Sequence, residues 1–208
     1  MKSLHLFNKP CIIGLMSDTN QGKSNLIYAI ITQLRKEKTF NLVTYGLKKE
    51  IQDSLVINSI EELEGIENSF LVIDEFFNLF DLDNRKVKAQ IEQTIRLIFH
   101  NNNILMLSGL GENFKKFLSA KVHIFMYKKI KLCDLINGSR AKQILMNYSG
   151  VERGTTLLNL GVEKVLVYDG KHYFIDNVPY MKEFDTKREN VAIFGEIKKC
   201  KKNVQEGD

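Results

Sequence analysis

The segment that most constrains this chain is CIIGLMSDTNQGKSNLIYAII, at residues 11–31. Its apolar start, which includes Ile12, Ile13, Leu15 and Met16, predicts a buried strand, and apolar residues at helical spacing follow the polar turn. Between them the turn ends in Gly-Lys-Ser at residues 22–24. This order of strand, glycine-containing loop and helix is typical of a site that binds the phosphates of a nucleoside triphosphate.

The loop supplies the residue types that phosphate binding needs. Its backbone N–H groups would face the phosphate oxygens of ATP, Lys23 would reach the β- and γ-phosphates, and the Ser24 hydroxyl would bind Mg²⁺. A strict G-x-x-x-x-G-K-S/T motif would have glycine in place of Ser17, so we expect a residue with a Cβ to make the first turn. The alternative is a chance Gly-Lys-Ser at a helix start, which the flanking strand and helix disfavour. The predicted nucleotide-binding residues are Ser17, Asp18, Thr19, Asn20, Gln21, Gly22, Lys23, Ser24 and Asn25.

A second motif follows at residues 69–76, SFLVIDEF, where an apolar strand ends in two carboxylates. Asp74 would hold Mg²⁺ together with Ser24, as a Walker B aspartate does. Glu75 would orient and deprotonate the water that attacks the γ-phosphate. The alternative is a solvated turn without chemistry, but the phosphate loop upstream favours the catalytic interpretation.

The composition is that of an ordinary globular protein, with 44% hydrophobic and 26% charged residues among 208. We expect one domain at residues 1–194 and a polar, lysine-rich, disordered tail at residues 195–208. No apolar run reaches the ~18 residues of a membrane span, and MKSLHLFNKP lacks the apolar core of a signal peptide. These features predict a cytoplasmic protein that does not span a membrane.

The net charge and the cysteine content constrain the function only weakly. A net charge of +5 permits a nucleic-acid partner without showing one, because excess lysine is more often a solvated surface. The three cysteines are widely spaced and odd in number, so neither a disulfide framework nor a zinc site is expected.

Strands and helices alternate along the chain. This pattern predicts an α/β fold, a three-layer sandwich with a mostly parallel central sheet covered on both faces. Asp169-Gly170 predicts a two-residue turn in a C-terminal β-hairpin between residues 165–168 and 171–175. The other predicted elements are helices at residues 25–36, 84–99 and 112–119, a helix that begins at Ser59 with Glu62 in a capping box, and strands at residues 40–47, 54–58, 104–108 and 122–127.

Two further polar residues follow or end predicted elements. Ser108 ends a strand and would hydrogen-bond the attacking water or the γ-phosphate, because ligands of such sheets lie at the carboxyl ends of the strands. The alternative is an ordinary serine before the glycine-containing turn at residues 109–111. His100 is better explained as the end of a helix than as a catalytic base.

These motifs support a resemblance to the FtsK/HerA type of DNA-pumping P-loop ATPase, which includes the small packaging ATPases of double-stranded DNA viruses. The loop SDTNQGKS is similar to that group's G-x-T-G-x-G-K-S, with Thr19 in the position of its threonine. Ser139-Arg140, followed by Ile144-Leu145 and Gly150, is similar to the D-S-R-x-I-L-x-x-x-G run of FtsK. The resemblance covers residues 11–170, and the chain has about the size of a minimal packaging motor.

The sequence departs from that pattern in several places. Ser17 and Asn20 replace two loop glycines, and Ser108 or Gly109 stands where those motors usually carry glutamine. An aspartate is expected directly before Ser139, where this chain has glycine. These departures leave the subfamily open.

The resemblance implies a RecA-like P-loop core with an extra strand between the two motif strands, and a catalytic glutamate. It implies ATP and Mg²⁺ as ligands and a ring, usually of six subunits, that pumps double-stranded DNA gripped through its phosphates. A neighbouring subunit's arginine would reach the γ-phosphate, with Arg140 as first candidate and Arg153 as second. Capsid or membrane-vertex proteins would be partners, and the location would be the host cytoplasm or the virion.

Two other classes remain open from the sequence. One is a nucleotide-dependent switch, such as a partition or regulatory ATPase, in which slow hydrolysis times the binding of a partner. The other is a P-loop kinase or ATPase that acts on a small molecule or a protein, with the region after residue 127 as a substrate lid. Stimulation of hydrolysis by DNA distinguishes the motor from both.

Overall fold

The structure, a computed structural model, describes residues 1–17, 22–80, 84–109, 121–128 and 160–184. In this part of the chain no helix is long and apolar enough to span a membrane. Short 3₁₀ turns lie at Lys2–Asn8, Glu61–Leu63 and Lys182–Phe184. The strands and α-helices are β1 (Cys11–Met16), α1 (Lys23–Glu37), β2 (Asn41–Tyr45), β3 (Ser54–Val56), β4 (Ser69–Ile73), α2 (Phe76–Leu79), α3 (Arg85–His100), β5 (Ile104–Gly109), β6 (Ile124–Tyr127), β7 (Lys164–Tyr168) and β8 (Tyr173–Asn177).

The strands form one sheet in the order β3-β2-β4-β5-β1-β6-β7-β8. The first six strands in this order are parallel, whereas β7 pairs antiparallel with β6 and β8 pairs antiparallel with β7. The strand β5 therefore lies between β1 and β4, as the resemblance implied. The carboxyl ends of these three strands consequently meet at one edge of the sheet.

Both faces of the sheet are covered, because successive residues of a buried strand point to opposite sides. On one side Ile13 packs in the cluster that contains Leu26 and Ile30 of α1. On the other side Ile12 packs in the cluster that contains Ile91 and Ile95 of α3. The three layers are therefore α1, the sheet and α3. The predicted mostly parallel three-layer α/β sandwich is confirmed.

Some predicted boundaries were wrong. The helix expected after Ser59 is a single 3₁₀ turn, although the Glu62 carboxylate accepts the Ser59 N–H at 2.9 Å as in the predicted capping box. The strand expected at residues 69–76 ends at Ile73, because the chain turns sharply at Glu75. The helix predicted at residues 112–119 and the tail at residues 195–208 lie outside the described residues.

The predicted C-terminal hairpin is present, but its turn was predicted wrongly. Tyr168 pairs with Tyr173, so the loop has four residues, 169–172, rather than two. The Asp169 carboxylate accepts the N–H groups of Lys171 at 2.8 Å and His172 at 2.7 Å, and these bonds stabilise the wider loop. Only the strand pairing on both sides of the turn reveals the loop length.

The amino-terminal residues are fixed to the far edge of the sheet by one buried carboxylate on β8. Asp176 accepts hydrogen bonds from Lys2 N at 2.9 Å, from Ser3 N at 2.8 Å and from the Ser3 hydroxyl at 2.7 Å. Burial alone would raise the pKa of Asp176, but the hydrogen bonds from Ser3 and Lys2 outweigh it and hold the pKa below 3.8. The ionised form is therefore the one that stabilises the fold.

Asp176→Ala is expected to lower the free energy of unfolding by about 2–4 kcal/mol at pH 7, because three donors lose a charged acceptor. A folded-state pKa below the unfolded value gives stability that is present above the unfolded pKa and is lost as the pH falls through the folded pKa. The difference between wild type and variant should therefore shrink below about pH 4. Urea denaturation at pH 7 and at steps down to pH 3 measures it, and a constant difference would contradict the ionic explanation.

Candidate active site

The candidate site lies where β1, β4 and β5 end. Strand register brings Leu15 beside Ser108 and Met16 beside Gly109, and the Ser17 N–H donates to the Gly109 carbonyl at 3.4 Å. Parallel pairing of β4 with β5 brings the residues after Ile73 to the same edge. Ser17 at the start of the loop, the Asp74-Glu75 pair and Ser108 consequently lie at one edge of the sheet, as the sequence predicted.

The first turn of α1 presents the loop's lysine to this edge. Gly22 precedes the helix with φ of +80°, a left-handed conformation that glycine adopts without steric cost. The Lys23 side chain is 8% exposed and points towards the end of β4, where its Nζ lies 2.5 Å from Glu75 Oε1. Ser17 is buried and does not adopt a positive φ. Asp18, Thr19, Asn20 and Gln21 lie outside the described residues.

Asp74 lies at the centre of the site. Its N–H donates to the Tyr45 carbonyl at 2.9 Å, which continues the β2-β4 ladder past the end of β4. The residue after β2 comes so close to Asp74 that position 46 requires glycine, because a Cβ there would lie 2.8 Å from the Asp74 carbonyl oxygen. Burial raises the pKa of Asp74, whereas the Ser108 hydrogen bond and the charge of Lys23 act against that rise. A buried carboxylate of this kind fits a divalent cation, whose charge favours the ionised form.

Glu75 adopts a conformation that its residue type rarely takes. With φ of 52° and ψ of 37° it is left-handed, and it forms the N-cap of α2. Its N–H donates to Asp74 Oδ1 at 3.0 Å and to the Ser108 hydroxyl oxygen at 3.2 Å, and these bonds support the turn. The turn directs the carboxylate to Lys23, with the Glu75 side chain 36% exposed. Such conformations cost ~1–3 kcal/mol and concentrate at functional sites.

Ser108 is fully buried and connects both carboxylate residues. Its hydroxyl donates to Asp74 Oδ1 and accepts the Glu75 N–H. These two hydrogen bonds connect the end of β5 to the Asp74-Glu75 turn. Its predicted contact with the attacking water or the γ-phosphate stays a prediction. His100 ends α3 in an exposed position, as expected for a helix terminus.

The side chains that follow Lys23 have different surroundings. Ser24 is partly exposed on the first turn of α1, and its predicted contact with Mg²⁺ stays a prediction. Asn25 instead contacts the chain that follows β8. Its Oδ1 accepts the Met181 N–H at 2.8 Å, and its Nδ2 lies 3.4 Å from the Pro179 carbonyl oxygen. The predicted contact of Asn25 with nucleotide stays a prediction beside this structural one.

Sequence reasoning missed Lys128, which directly follows β6. Its side chain is buried and extends past Gly22, with Cε 3.7 Å from the position that a Cβ on Gly22 would take. A polar residue at the carboxyl end of a core strand was the signal that identified Ser108, and the same signal applies to Lys128. The two predicted trans-acting arginines, Arg140 and Arg153, lie outside the described residues.

No protein-family model matches this chain, and no curated protein matches its sequence. Solved structures do match its fold. The genome packaging NTPase B204 from Sulfolobus turreted icosahedral virus 2, in complex with ATP-gammaS, has a TM-score of 0.62 at 16% identity, covering 83% of this chain and 98% of that chain. The same NTPase in complex with AMPPCP has a TM-score of 0.62 at 15% identity, covering 84% of this chain and 100% of that chain.

A third match comes from a different setting. The pCW3 conjugation coupling protein TcpA, in monomer form with ATPgS, has a TM-score of 0.55 at 14% identity, covering 88% of this chain and 63% of that chain. At such identities the matches show a shared fold. They confirm the predicted P-loop NTPase fold and the predicted resemblance to viral packaging ATPases at the level of architecture.

Proposed function

We propose that this chain, which shares its fold with a viral genome-packaging NTPase, hydrolyses ATP to translocate double-stranded DNA, as a packaging ATPase of a virus or mobile element. The observation that carries the proposal is the contact between Lys23, at the end of the phosphate loop, and Glu75, at the end of β4. It brings together a phosphate-binding cation and a carboxylate that can accept a proton from water.

Each residue of the site has a distinct part in hydrolysis. Lys23 and the loop N–H groups bind the β- and γ-phosphates, and Ser24 and Asp74 hold Mg²⁺, which supplies charge neutralisation. Glu75 takes a proton from water as the water oxygen bonds to the γ-phosphorus and the bond to the bridging oxygen breaks. Ser108 fixes the Glu75 backbone and the Asp74 carboxylate through its two hydrogen bonds.

Assembly belongs to the same proposal. The resemblance implies a ring, in which six subunits surround the DNA and each ATP lies at a subunit boundary. Arg140, or alternatively Arg153, would reach the ATP of the neighbouring subunit. Capsid or membrane-vertex proteins would dock the ring, which would work in the host cytoplasm or in the virion. The net charge of +5 is compatible with DNA phosphates as the translocated surface.

DNA stimulation of ATP hydrolysis tests the proposal. We expect double-stranded DNA at low salt to raise the steady-state rate several-fold, with little dependence on sequence and a steep decline as salt increases, because the contacts are to phosphates. Phosphate release should be measured with DNAs of unrelated sequence at 50 and 200 mM salt. Lys23→Ala should remove hydrolysis, and Lys36→Ala, an exposed lysine at the other end of α1, should keep the DNA-free rate.

The other outcomes identify the alternatives. Hydrolysis that is slow, insensitive to DNA and accelerated by a protein partner would indicate a nucleotide-dependent switch. Transfer of the γ-phosphoryl group to a small molecule would indicate a kinase. Hydrolysis that survives Lys23→Ala would contradict the assignment of the phosphate loop itself.

A further inference from the structure

Lys128 is a buried cation that the proposed chemistry does not use. The backbone N–H of Lys128 donates to the Met16 carbonyl at 3.0 Å, which continues the β1-β6 ladder past the end of β6. The residue is 1% exposed. Lysine is almost never fully buried unless its ammonium group has partners, because removing the charge from water is costly. The position therefore calls for an explanation.

The partners of the ammonium group lie at the start of the hairpin. Nζ donates to the Val162 carbonyl and, at 3.0 Å, to the Lys164 carbonyl. On its way there the side chain passes Gly22, the residue directly before Lys23, and a Cβ added at Gly22 would lie 3.7 Å from Lys128 Cε. One side chain thus occupies the space beside Gly22 and hydrogen-bonds the beginning of the hairpin.

Burial disfavours the charged form of the Lys128 side chain. Burial lowers the pKa of Lys128 to about 8, and the nearby Glu163 carboxylate acts in the opposite direction. Glu163 is exposed and lies between the two residues whose carbonyls accept the hydrogen bonds. A methionine of similar length would leave both carbonyls without this donor, so the contact depends on the ammonium group.

The same side chain closes the base of a long segment. The chain leaves the sheet after Lys128 and returns at residues 160–164, so the exit and the return are joined by the Lys128 hydrogen bonds. The intervening sequence carries Arg140 and Arg153. The chain after β8 contacts α1. There Asn25 accepts the Met181 N–H, and the Tyr28 ring stacks on the Phe184 ring with the ring centroids 4.0 Å apart. The start of the hairpin is therefore bonded to Lys128, and the chain that follows the hairpin is bonded to α1.

We infer that Lys128 is a positioning residue that links the end of the phosphate loop, at Gly22, to the start of the hairpin β7-β8. Nucleotide binding at Lys23 then changes the hairpin through Gly22 and Lys128, and the hairpin in turn sets nucleotide affinity. The inference rests on the proposed nucleotide site, and it adds a route by which nucleotide binding there reaches the hairpin.

The experiment combines nucleotide titration with hydrogen exchange on the full chain. A fluorescent ATP analogue gives the Kd, and exchange of the amides in residues 164–168, with and without ATPγS, gives the response of the hairpin. We expect wild type to gain protection there when nucleotide binds. Lys128→Met should weaken binding by about 10- to 100-fold, as expected for a misplaced binding loop, and should lose the protection even at saturating nucleotide.

Matched variants separate positioning from general destabilisation. Lys128→Arg, which keeps charge and donors, should recover most of the affinity and the hairpin response, and Lys171→Met, an exposed lysine of the same hairpin, should behave as wild type. Wild-type affinity together with an unchanged hairpin response in Lys128→Met would overturn the inference. If Lys128→Met does not fold, wild type alone decides, because nucleotide binding that leaves the exchange of residues 164–168 unchanged also overturns it.

The result is separable from the failure of the proposed function. Nucleotide that binds and protects the hairpin, in a protein whose hydrolysis ignores DNA, would support the Lys128 link and reject translocation. Absence of nucleotide binding by wild type would reject the site on which both depend.

Discussion

Glu75→Gln is expected to lower kcat for ATP hydrolysis by about 10²- to 10⁴-fold, the usual contribution of a positioned general base. The amide of glutamine cannot accept the proton of the attacking water. The same change should lower the Kd for nucleotide, because Glu75 Oε1 lies 2.5 Å from Lys23 Nζ in this structure and competes with the phosphates for the ammonium group. A neutral amide competes less strongly.

The test is specific because the variant is expected to hydrolyse ATP more slowly while it binds nucleotide more tightly. Phosphate release gives kcat, and titration with a slowly hydrolysed ATP analogue gives the Kd. Glu64→Gln, at an exposed glutamate outside both motifs, controls for the loss of one negative charge. A Glu75→Gln variant that hydrolyses ATP at the wild-type rate would remove Glu75 from the chemistry. Weaker rather than tighter binding would show that Glu75 supports the loop instead of competing for its lysine.

Arg140→Ala is expected to lower kcat by about 10³- to 10⁵-fold, the range for an arginine that stabilises the transition-state charge of phosphoryl transfer. Nucleotide affinity should change far less, because the charge that the arginine meets develops mainly in the transition state. Arg153→Ala is the matched variant, and we expect it to retain most of the rate. Rapid mixing with labelled ATP separates binding from hydrolysis.

Mixing of inactive subunits tests whether the arginine acts across a boundary. Lys23→Ala subunits lack their own phosphate-loop lysine but keep Arg140, and Arg140→Ala subunits keep the loop. In a mixed ring, an intact loop meets an intact arginine at some boundaries, so activity should reappear when the two variants are combined. Full activity of Arg140→Ala alone, with loss in Arg153→Ala, would transfer the role to Arg153. Loss in both variants without recovery on mixing would reject action across a boundary.

The architecture was predictable because the signals for it are local and repeated. The apolar run before the phosphate loop directly indicates a strand, and the apolar stripe of α3 directly indicates a helix. The alternation of strands and helices along the chain predicts a parallel sheet covered on both faces. The Asp74-Glu75 pair was found in the same way, since two carboxylates at the end of an apolar strand are visible in one short window of sequence.

The details that depend on distant partners were not predictable. The left-handed turn at Glu75 depends on Ser108, 33 positions later in the chain, and its residue type gives no warning of the conformation. The contact of Asn25 with residues after β8 and the burial of Lys128 likewise depend on chain segments that only the folded sheet brings together. A single sequence shows which residues are unusual but not what they touch.

The hydrogen bonds from the Lys128 ammonium group to the Val162 and Lys164 carbonyls hold together the two ends of the segment at residues 129–161, and this affects how the chain tolerates changes in sequence length. With exit and return fixed, the ends of that segment stay close together whatever lies between them. The entropic cost of closing a flexible loop rises by only about 0.6 kcal/mol for each doubling of its length. Insertions, deletions or a grafted module between the two ends would therefore change the free energy of unfolding little. The geometry around Gly22 would stay the same. The fold thus offers one place where the chain can change in length at little cost in stability, provided that the arginine proposed to act on the neighbouring subunit is kept.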